Sequence, residues 1–289
     1  MLKNAALGAC VALGRLLRLP GLSVLVYHSI DESGSYMSTR PGMFRVQMLW
    51  LRDHGIRAIS MRQFLERGTP QVAPERTVVL TFDDGLANFA ETAWPVLREV
   101  SFSATAYVPT AFIGGEAAWY TDYGLPRLPC MGWDALRAVH REGADIQSHA
   151  CSHRDLTSLP PGELREELLR SKAVLEDGLV DSVEHLAYPF GTVSPAVCQA
   201  AREAGYRSAV VLGKGRWHSN TDPYEIPRDS LDRIDIRSGR TARLSIEACV
   251  RGTFGWYVET KAGVRRLYAV PPHLQDLGAS RPMMMSTRS

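Results

Sequence analysis

The sequence predicts an α/β fold, a closed or nearly closed barrel built from seven or eight parallel β/α units. Short apolar runs rich in β-branched residues alternate with helical patterns along most of the chain. This alternation is typical of parallel strands joined by right-handed crossovers. Unusual polar residues also follow several of these runs at their carboxyl ends, the edge at which β/α barrels carry functional residues. An open doubly wound sheet is the alternative, but no glycine-rich phosphate loop follows any predicted strand, which weakens its nucleotide-binding form.

Eight strands are predicted, each a short apolar run bounded by polar or turn-forming residues. They are Ser23–Tyr27, Ala58–Ser60, Val78–Phe82, Ala104–Val108, Asp145–Ser148, His185–Tyr188, Ser208–Val211 and Glu225–Pro227. Helices are predicted over Phe44–His54, Met61–Glu66, Asn88–Val100, Trp133–Glu142, Pro161–Asp177 and Pro195–Ala204. Gly55, Gly143 and Gly205 stand where C-terminal caps belong, and Ser194-Pro195 is a typical helix start.

Composition limits the class of protein. The length of 289 residues fits one barrel domain with a sizeable core. A formal net charge of +2 lacks the overall basic excess that indicates binding to nucleic acid or to an anionic membrane. The five cysteines are an odd number with no CxxC pair, which is not the pattern of a disulfide framework. We therefore expect a reducing, cytoplasmic location, with membrane association or export as the alternatives.

Residues 1–22 are expected to form an N-terminal amphipathic helix packed on the domain. Arg15 and Arg18 interrupt the apolar run, so no transmembrane segment is expected here. A signal peptide or a helix lying on a surface remains open. We expect residues 23–270 to form the main domain and residues 271–289 a disordered tail. The apolar residues that fall at helical spacing on one face are Leu2, Ala5, Ala6, Ala9, Leu13, Leu16 and Leu17.

The stretch VVLTFDDG, residues 78–85, ends an apolar strand with two adjacent carboxylates, Asp83 and Asp84. Like charges repel, and carboxylates among apolar residues are costly unless a positive group lies against them. A divalent metal ion is one such group. For an isolated FDDG, a turn with an aspartate N-cap is the alternative.

The stretch SHACSHRDL, residues 148–156, places two histidines four residues apart directly after another predicted strand. On a helical turn, the imidazoles of His149 and His153 would lie on one face and could share one ion. Paired surface histidines are the alternative for this spacing alone. Two imidazoles and one carboxylate leave coordination positions open, as a catalytic metal site requires. A second carboxylate nearby can then accept a proton from water on the ion.

The motifs VVLTFDDG, SHACSH and AYPFG, in this order and at this separation, resemble those of the polysaccharide deacetylase family. That family is the NodB-homology domain of the family-four carbohydrate esterases. The resemblance covers roughly Ser23 to Ile236. It implies a distorted (β/α)7-8 barrel, a divalent metal ion that is commonly zinc, and hydrolysis of the acetamido group of an N-acetylated sugar polymer.

The resemblance also implies roles for residues at the motif positions. Asp83 resembles the general base, and Asp84, His149 and His153 resemble the metal ligands. The backbone N–H at Phe190 matches the donor that stabilises the oxyanion in family members. An aromatic strand-to-turn junction is the alternative for Phe190.

The sequence departs from the commoner family pattern in two places. No late Leu-x-His motif follows Arg228, whereas Val26-Tyr27-His28 stands near the start of the chain. This resembles the circularly rearranged branch that acts on exopolysaccharide N-acetylglucosamine, and it implies that His28 is the general acid. A capping or turn histidine is the alternative. Ala187 occupies the place of a common family arginine, and we expect Arg228 to pair with Asp83 instead. A solvent-exposed arginine is the alternative for Arg228.

Three aromatic residues are expected to bind substrate. Tyr27 and Tyr188 end predicted strands, and Trp119 lies in the long loop GGEAAWYTDYGLP, where ordinary loop packing is the alternative. The predicted activity is metal-dependent deacetylation of an N-acetylglucosamine-containing glycan, the expected partner. An O-acetyl esterase or another amidase, and a non-catalytic glycan-binding module, are the alternatives. The oligomeric state is left open.

Overall fold

Parallel strands form a closed barrel in the computed structural model, which describes residues 2–17, 19–66, 76–213, 215–231, 236–254 and 257. The strands are β1 Ser23–Tyr27, β2 Arg57–Ile59, β3 Thr77–Phe82, β4 Thr105–Val108, β5 Asp145–Ser148, β6 His185–Ala187, β7 Ser208–Leu212 and β8 Ile226–Ser230. The ring has seven strands in the order β1-β8-β7-β6-β5-β4-β3, and β3 pairs back onto β1. The short strand β2 pairs with the first half of β3, which distorts the ring.

Helices surround the ring. They are α1 Leu2–Leu17, α2 Pro41–Asp53, α3 Met61–Glu66, α4 Trp94–Glu99, α5 Trp133–Arg141, α6 Pro161–Leu179, α7 Pro195–Glu203 and α8 Gly239–Val250. A π-helical segment, Phe89–Ala93, precedes α4. The 3₁₀ turns Thr110–Phe112, Ala118–Tyr123, Leu156–Ser158 and Pro189–Gly191 each follow the carboxyl end of a strand. Irregular structure therefore gathers at one mouth of the barrel.

The strands are buried on both faces, as is usual for parallel sheets covered by helices. Inside the ring, Val24 and Val210 form an apolar cluster with Phe64 of α3, which closes the amino-terminal end of the barrel. Outside the ring, Leu80 and its neighbours pack with Phe44 of α2 in the main core. Because apolar side chains fill the amino-terminal end, a functional site in this barrel is expected at the carboxyl mouth.

The structure confirms the predicted barrel, and all eight predicted strands are present within a few residues of their expected bounds. Helix α8 was not predicted. Its buried side includes Thr241, Ser245 and Glu247, so its apolar periodicity is weak. Its start is nevertheless well marked, because the Ser238 side chain accepts a hydrogen bond from the Thr241 N–H. The expected tail, residues 271–289, lies outside the described residues.

The N-terminal helix is present, but the prediction of its packed face is wrong. Leu7 and Val11 are the side chains that enter the core. Leu13 and Leu16, expected on the packed face, are 42% and 78% exposed. Helix α1 carries apolar residues on both sides, so the pattern alone could not decide which side packs. In the part of the chain that the structure describes, no helix is both long and apolar enough to cross a membrane.

A glycine in α6 permits close packing with α5, which gives a test of the fold. A Cβ at Gly178 would overlap the indole ring of Trp133. We expect Gly178→Ala to lower the free energy of unfolding by about 1–3 kcal/mol, because overpacking of this kind outweighs the gain of about 1 kcal/mol in helix propensity. Chemical denaturation of purified protein measures the change.

Gly162→Ala is the matched control. Gly162 lies in the first turn of the same helix, and a Cβ there meets no atom within 4 Å. This variant should be as stable as the wild type or more stable. A Gly178→Ala protein at least as stable as the wild type would contradict the packing argument.

Candidate active site

Polar side chains from four strand ends meet at the carboxyl mouth of the barrel. His28 follows β1, Asp83 and Asp84 follow β3, His149 follows β5, and Arg228 lies in β8. Each of these five residues is at most 5% exposed. Burying so many ionisable groups is costly unless they pair with one another or with an ion.

Asp84, His149 and His153 form a cluster that could hold a metal ion. Their ligand atoms all lie within 4.8 Å of one another. The Nε2 atoms of His149 and His153 lie 3.5 and 3.2 Å from the same Asp84 oxygen, Oδ1. The three residues that the sequence selected therefore do converge on one point.

The two imidazoles are oriented in different ways. Nδ1 of His149 lies 2.7 Å from the carbonyl oxygen of Ala187, so Nδ1–H donates and Nε2 keeps its lone pair for a ligand. The His153 ring is instead held between aromatic residues. Trp119 stacks on it with centroids 4.1 Å apart at 15°, and Phe190 meets it at 4.9 Å and 70°.

Tyr120 is a site residue that sequence reasoning missed. Its buried hydroxyl donates a 2.7 Å hydrogen bond to Oδ2 of Asp84. That bond occupies one carboxylate oxygen and leaves Oδ1 facing the imidazoles. The only sequence indication was an aromatic pair in a loop, and nothing in that pattern connects it to the carboxylate 36 residues earlier.

The expected helical turn between the two histidines is wrong. Residues 149–153 form an irregular loop in which Ala150 and His153 adopt left-handed backbone conformations, with φ of 60° and 54°. The Glu167 carboxylate holds this loop by accepting hydrogen bonds from the backbone N–H groups of Cys151 and Ser152, at 3.0 and 2.8 Å. The imidazoles thus converge through loop geometry.

Left-handed backbone at non-glycine residues is concentrated at this mouth. Asp84 and Phe190 have φ of 71° and 62°, so with Ala150 and His153 the site holds four of the six such residues described. These conformations cost energy and persist where the surroundings fix them, which is common at functional sites.

The protonation states of the cluster fit a divalent cation. Burial opposes charge on Asp84, but the neighbouring imidazoles of His149 and His153 outweigh burial and hold its pKa well below the usual range. Burial lowers the pKa of His153, which favours the neutral imidazole that a metal requires. An ionised carboxylate with neutral imidazoles is the donor set of catalytic zinc sites.

Asp83 forms a separate buried ion pair with Arg228. Two parallel hydrogen bonds of 2.7 Å join the guanidinium to both carboxylate oxygens, and a third of 3.0 Å reaches the Thr81 hydroxyl. Burial would raise the pKa of Asp83, but the charge and hydrogen bonds of Arg228, together with the charges of His149 and His28, outweigh burial and the pKa is lowered. The structure therefore places Arg228 where the expected pairing requires it, within β8 and not in solvent.

His28 and Phe190 lie at the same mouth. His28 is buried, and its positive form would lower the pKa of both Asp83 and Asp84, so it lies within electrostatic reach of the pair. Phe190 is 38% exposed at the tip of its 3₁₀ turn, against the His153 ring. The exposed Phe190 ring can therefore contact a molecule bound over the cluster, and His28 lies buried beside the two carboxylates.

Two of the three side chains that were expected to bind substrate are buried away from the site, so the prediction is wrong for them. Tyr27 and Tyr188 are both 0% exposed. The Tyr27 hydroxyl donates to Gln47 outside the ring, and the Tyr188 hydroxyl donates to the Tyr224 carbonyl. Both side chains point into the packed layer between strands and helices. Trp119, 9% exposed, lies at the site but has one ring face covered by His153.

Known proteins with similar sequences are polysaccharide deacetylases by name. Residues 71–209 match the family profile described as polysaccharide deacetylase. The chain is 25% identical over 240 residues to YxkH of Bacillus subtilis, a protein named with the polysaccharide deacetylases, covering 83% of this chain and 76% of YxkH. It is 22% identical over 214 residues to the poly-β-1,6-N-acetyl-D-glucosamine N-deacetylase of Staphylococcus aureus, with 71% of each chain covered.

Solved structures share the fold. The deacetylase PplD of Streptococcus pyogenes matches with a TM-score of 0.64 and 22% identity, covering 73% of this chain and 92% of PplD. IcaB from Ammonifex degensii matches with a TM-score of 0.64 and 20% identity, covering 74% of this chain and 93% of IcaB.

The hydrogen bond from Tyr120 to Asp84 generates a prediction about metal binding. Tyr120→Phe removes the hydroxyl that fixes the carboxylate, so we expect the affinity for Zn²⁺ to fall about 10- to 100-fold, the range for loss of an outer hydrogen bond to a ligand. Calorimetric titration of metal-free protein with Zn²⁺ measures it.

Tyr224→Phe is the control, because the Tyr224 hydroxyl is also buried but donates to the backbone oxygen of Tyr206, away from the cluster. It should bind Zn²⁺ as tightly as the wild type. Equal affinities in Tyr120→Phe and wild type would show that the hydroxyl does not support the carboxylate.

Proposed function

We propose, from the premise that this chain carries a polysaccharide deacetylase domain, that it hydrolyses acetamido groups on an N-acetylglucosamine-containing polysaccharide and releases acetate. The observation that carries the proposal is the Asp84–His149–His153 cluster with a second, separately paired carboxylate beside it. A binding module would need neither the cluster nor the additional carboxylate.

Asp83 is the proposed general base. Its lowered pKa keeps it ionised at neutral pH, ready to accept the proton of an attacking water. Arg228 acts through Asp83 as a positioning residue, since the two parallel hydrogen bonds fix the plane of the carboxylate.

Asp84, His149 and His153 are the proposed ligands of a divalent cation, with zinc favoured by two nitrogens and one oxygen. When bound, such a cation polarises the acetyl carbonyl and lowers the pKa of water. The backbone N–H of Phe190 is proposed to donate to the carbonyl oxygen as negative charge develops there. The exposed Phe190 ring would meet the sugar beside it.

His28 is the proposed general acid. Cleavage of an amide requires protonation of the departing nitrogen, and an imidazole that gains a proton beside two carboxylates can deliver it. His28 enters the site from β1, and Asp83 enters it from β3, which pairs with β1 along the whole strand. The acid and the base are thus fixed relative to each other by adjoining strands.

The substrate class bears on location. The Staphylococcus aureus relative is named for poly-β-1,6-N-acetyl-D-glucosamine, and we propose a related exopolysaccharide as the substrate here. Such a polymer is met outside the cytoplasm. The proposal therefore argues against the cytoplasmic expectation, which neither the fold nor the comparisons support.

Acetate release from a panel of N-acetylated and O-acetylated oligosaccharides tests the function. We expect release from N-acetylglucosamine oligomers, loss of release after chelation and recovery on adding Zn²⁺. Asp83→Asn should lower kcat about 10²- to 10⁴-fold while Zn²⁺ affinity stays near that of the wild type.

Two results would replace the proposal. Preference for O-acetyl substrates would make the protein an esterase on the same scaffold. Glycan binding without acetate release from any substrate would make it a binding module.

The ion pair generates a prediction of pH dependence. In Arg228→Ala, the largest influence that opposes the burial of Asp83 is removed, so the pKa of Asp83 rises and the base is protonated at a higher pH. We expect the acid limb of the kcat/KM profile to move up by about 1–3 pH units. Arg228→Lys keeps the charge but not the paired hydrogen bonds, and its shift should be smaller. Unchanged turnover and an unchanged profile in Arg228→Ala would remove Arg228 from the site.

A further inference from the structure

Helix α1 exposes an apolar face. Among the described residues, three of the seven large hydrophobic side chains that are exposed lie on it, with Leu13, Leu16 and Leu17 exposed by 42%, 78% and 47%. Alanines continue this face toward the start of the helix, at Ala5, Ala6, Ala9 and Ala12. A surface helix packed on a domain normally turns polar residues to solvent, so the outward face of α1 is built for a second apolar environment.

The inward face of the same helix already packs against the domain. Leu7 and Val11 are buried in the core, and Gly14 packs closely against the side chains of Arg251 and Thr253. Asn4 accepts a hydrogen bond from the Thr241 hydroxyl of α8. The contacts of α1 with α8 therefore leave Leu13, Leu16 and Leu17 outside, and rotation of the helix to bury them would break these contacts.

Basic residues outnumber acidic ones in the sequence of this helix and on the described part of its neighbour α8. The first thirty residues contain Lys3, Arg15 and Arg18 and no acidic residue. On the adjacent helix α8, Arg240 and Arg243 are exposed.

Among the residues that the structure describes on α1 and α8, Glu247 is the one acidic side chain, and it is paired with two arginines. Glu247 of α8 is buried, and both Arg15 and Arg251 pair with it at 2.8 Å.

Arg240 and Arg243 precede and follow Thr241, which bonds Asn4, so these exposed arginines adjoin the first turns of α1, where the alanines continue the apolar face. An apolar helix face next to exposed arginines is complementary to an anionic lipid surface, in which leucines enter the acyl boundary and guanidinium groups meet phosphates.

We propose that α1, together with Arg240 and Arg243 of α8, docks the domain on the surface of an anionic membrane. The helix lies in the plane of the surface, because sixteen residues extend roughly 24 Å, less than the hydrocarbon thickness of about 30 Å. A second copy of this chain is a poorer occupant, because joining two such faces would bring their basic residues together. This inference is independent of the proposed activity.

Sedimentation of the full-length protein with lipid vesicles tests the proposal. We expect it to bind vesicles of equal parts phosphatidylcholine and phosphatidylglycerol, to bind pure phosphatidylcholine vesicles less, and to lose binding as salt is raised. The double variant Leu16→Ser/Leu17→Ser should bind at least about tenfold more weakly. Arg240→Ala/Arg243→Ala should lose the preference for anionic vesicles while keeping the residual binding to neutral ones.

Leu169→Ser is the matched control, since Leu169 is an exposed leucine, 39% accessible, on α6. It should bind vesicles like the wild type. Acetate release from a soluble oligosaccharide should be the same in all these proteins, so a failure of docking is distinguishable from a failure of the proposed activity.

Three results would overturn the proposal. Wild-type protein that stays in solution with anionic vesicles would do so, as would equal vesicle binding by Leu16→Ser/Leu17→Ser. Sedimentation velocity that finds a dimer, lost in the same double variant and unaffected by vesicles, would assign the face to a second copy of the chain.

Discussion

The site depends on two adjacent carboxylates buried at the end of one strand. Neighbouring carboxylates repel, and each is costly to ionise away from water. The structure resolves this by giving each its own positive or hydrogen-bonding partners. Asp83 receives a guanidinium from β8, and Asp84 receives two imidazoles from the loop after β5 and a hydroxyl from the loop after β4. Two chemically identical side chains thereby acquire different surroundings.

Barrel closure makes this division possible. β1 pairs with both β3 and β8, so the strand bearing His28 lies between the strand bearing Asp83 and the strand bearing Arg228. In an open sheet with β1 at one edge, those three side chains could not surround one point. The irregular loops then complete the site from the opposite side, at the expense of left-handed backbone at Asp84 and His153.

The two histidines of the cluster are held in place by different kinds of interaction. His149 is fixed by a hydrogen bond to a backbone carbonyl, whereas His153 is fixed by stacking on Trp119. Trp119 and Tyr120 are adjacent in one 3₁₀ turn, so a single short segment supports both a histidine and the aspartate. That segment belongs to the loop in which the sequence predicted that Trp119 binds substrate. In the structure, Trp119 stacks on His153 and Tyr120 donates a hydrogen bond to Asp84.

The sequence by itself determined the barrel and the chemistry of its mouth. Alternation of strands and helices implied parallel pairing, and parallel pairing places Asp83, Asp84 and His149 at one edge because all strands end there. The SHACSH motif added His153, and the family resemblance added His28 and, because Ala187 occupies the place of the usual arginine, Arg228. These inferences rest on local patterns, and such patterns survive in a linear sequence.

Only the tertiary structure decided which face each side chain takes and which distant groups it meets. Strands buried on both sides carry no polar alternation, so the sequence could not tell that Tyr27 and Tyr188 point into the helical layer. The sequence also could not show three other features, namely the hydrogen bond from Tyr120 to Asp84, the loop conformation at Ala150 and the outward face of α1. Each depends on the position of another segment, and no periodicity within its own segment records that position.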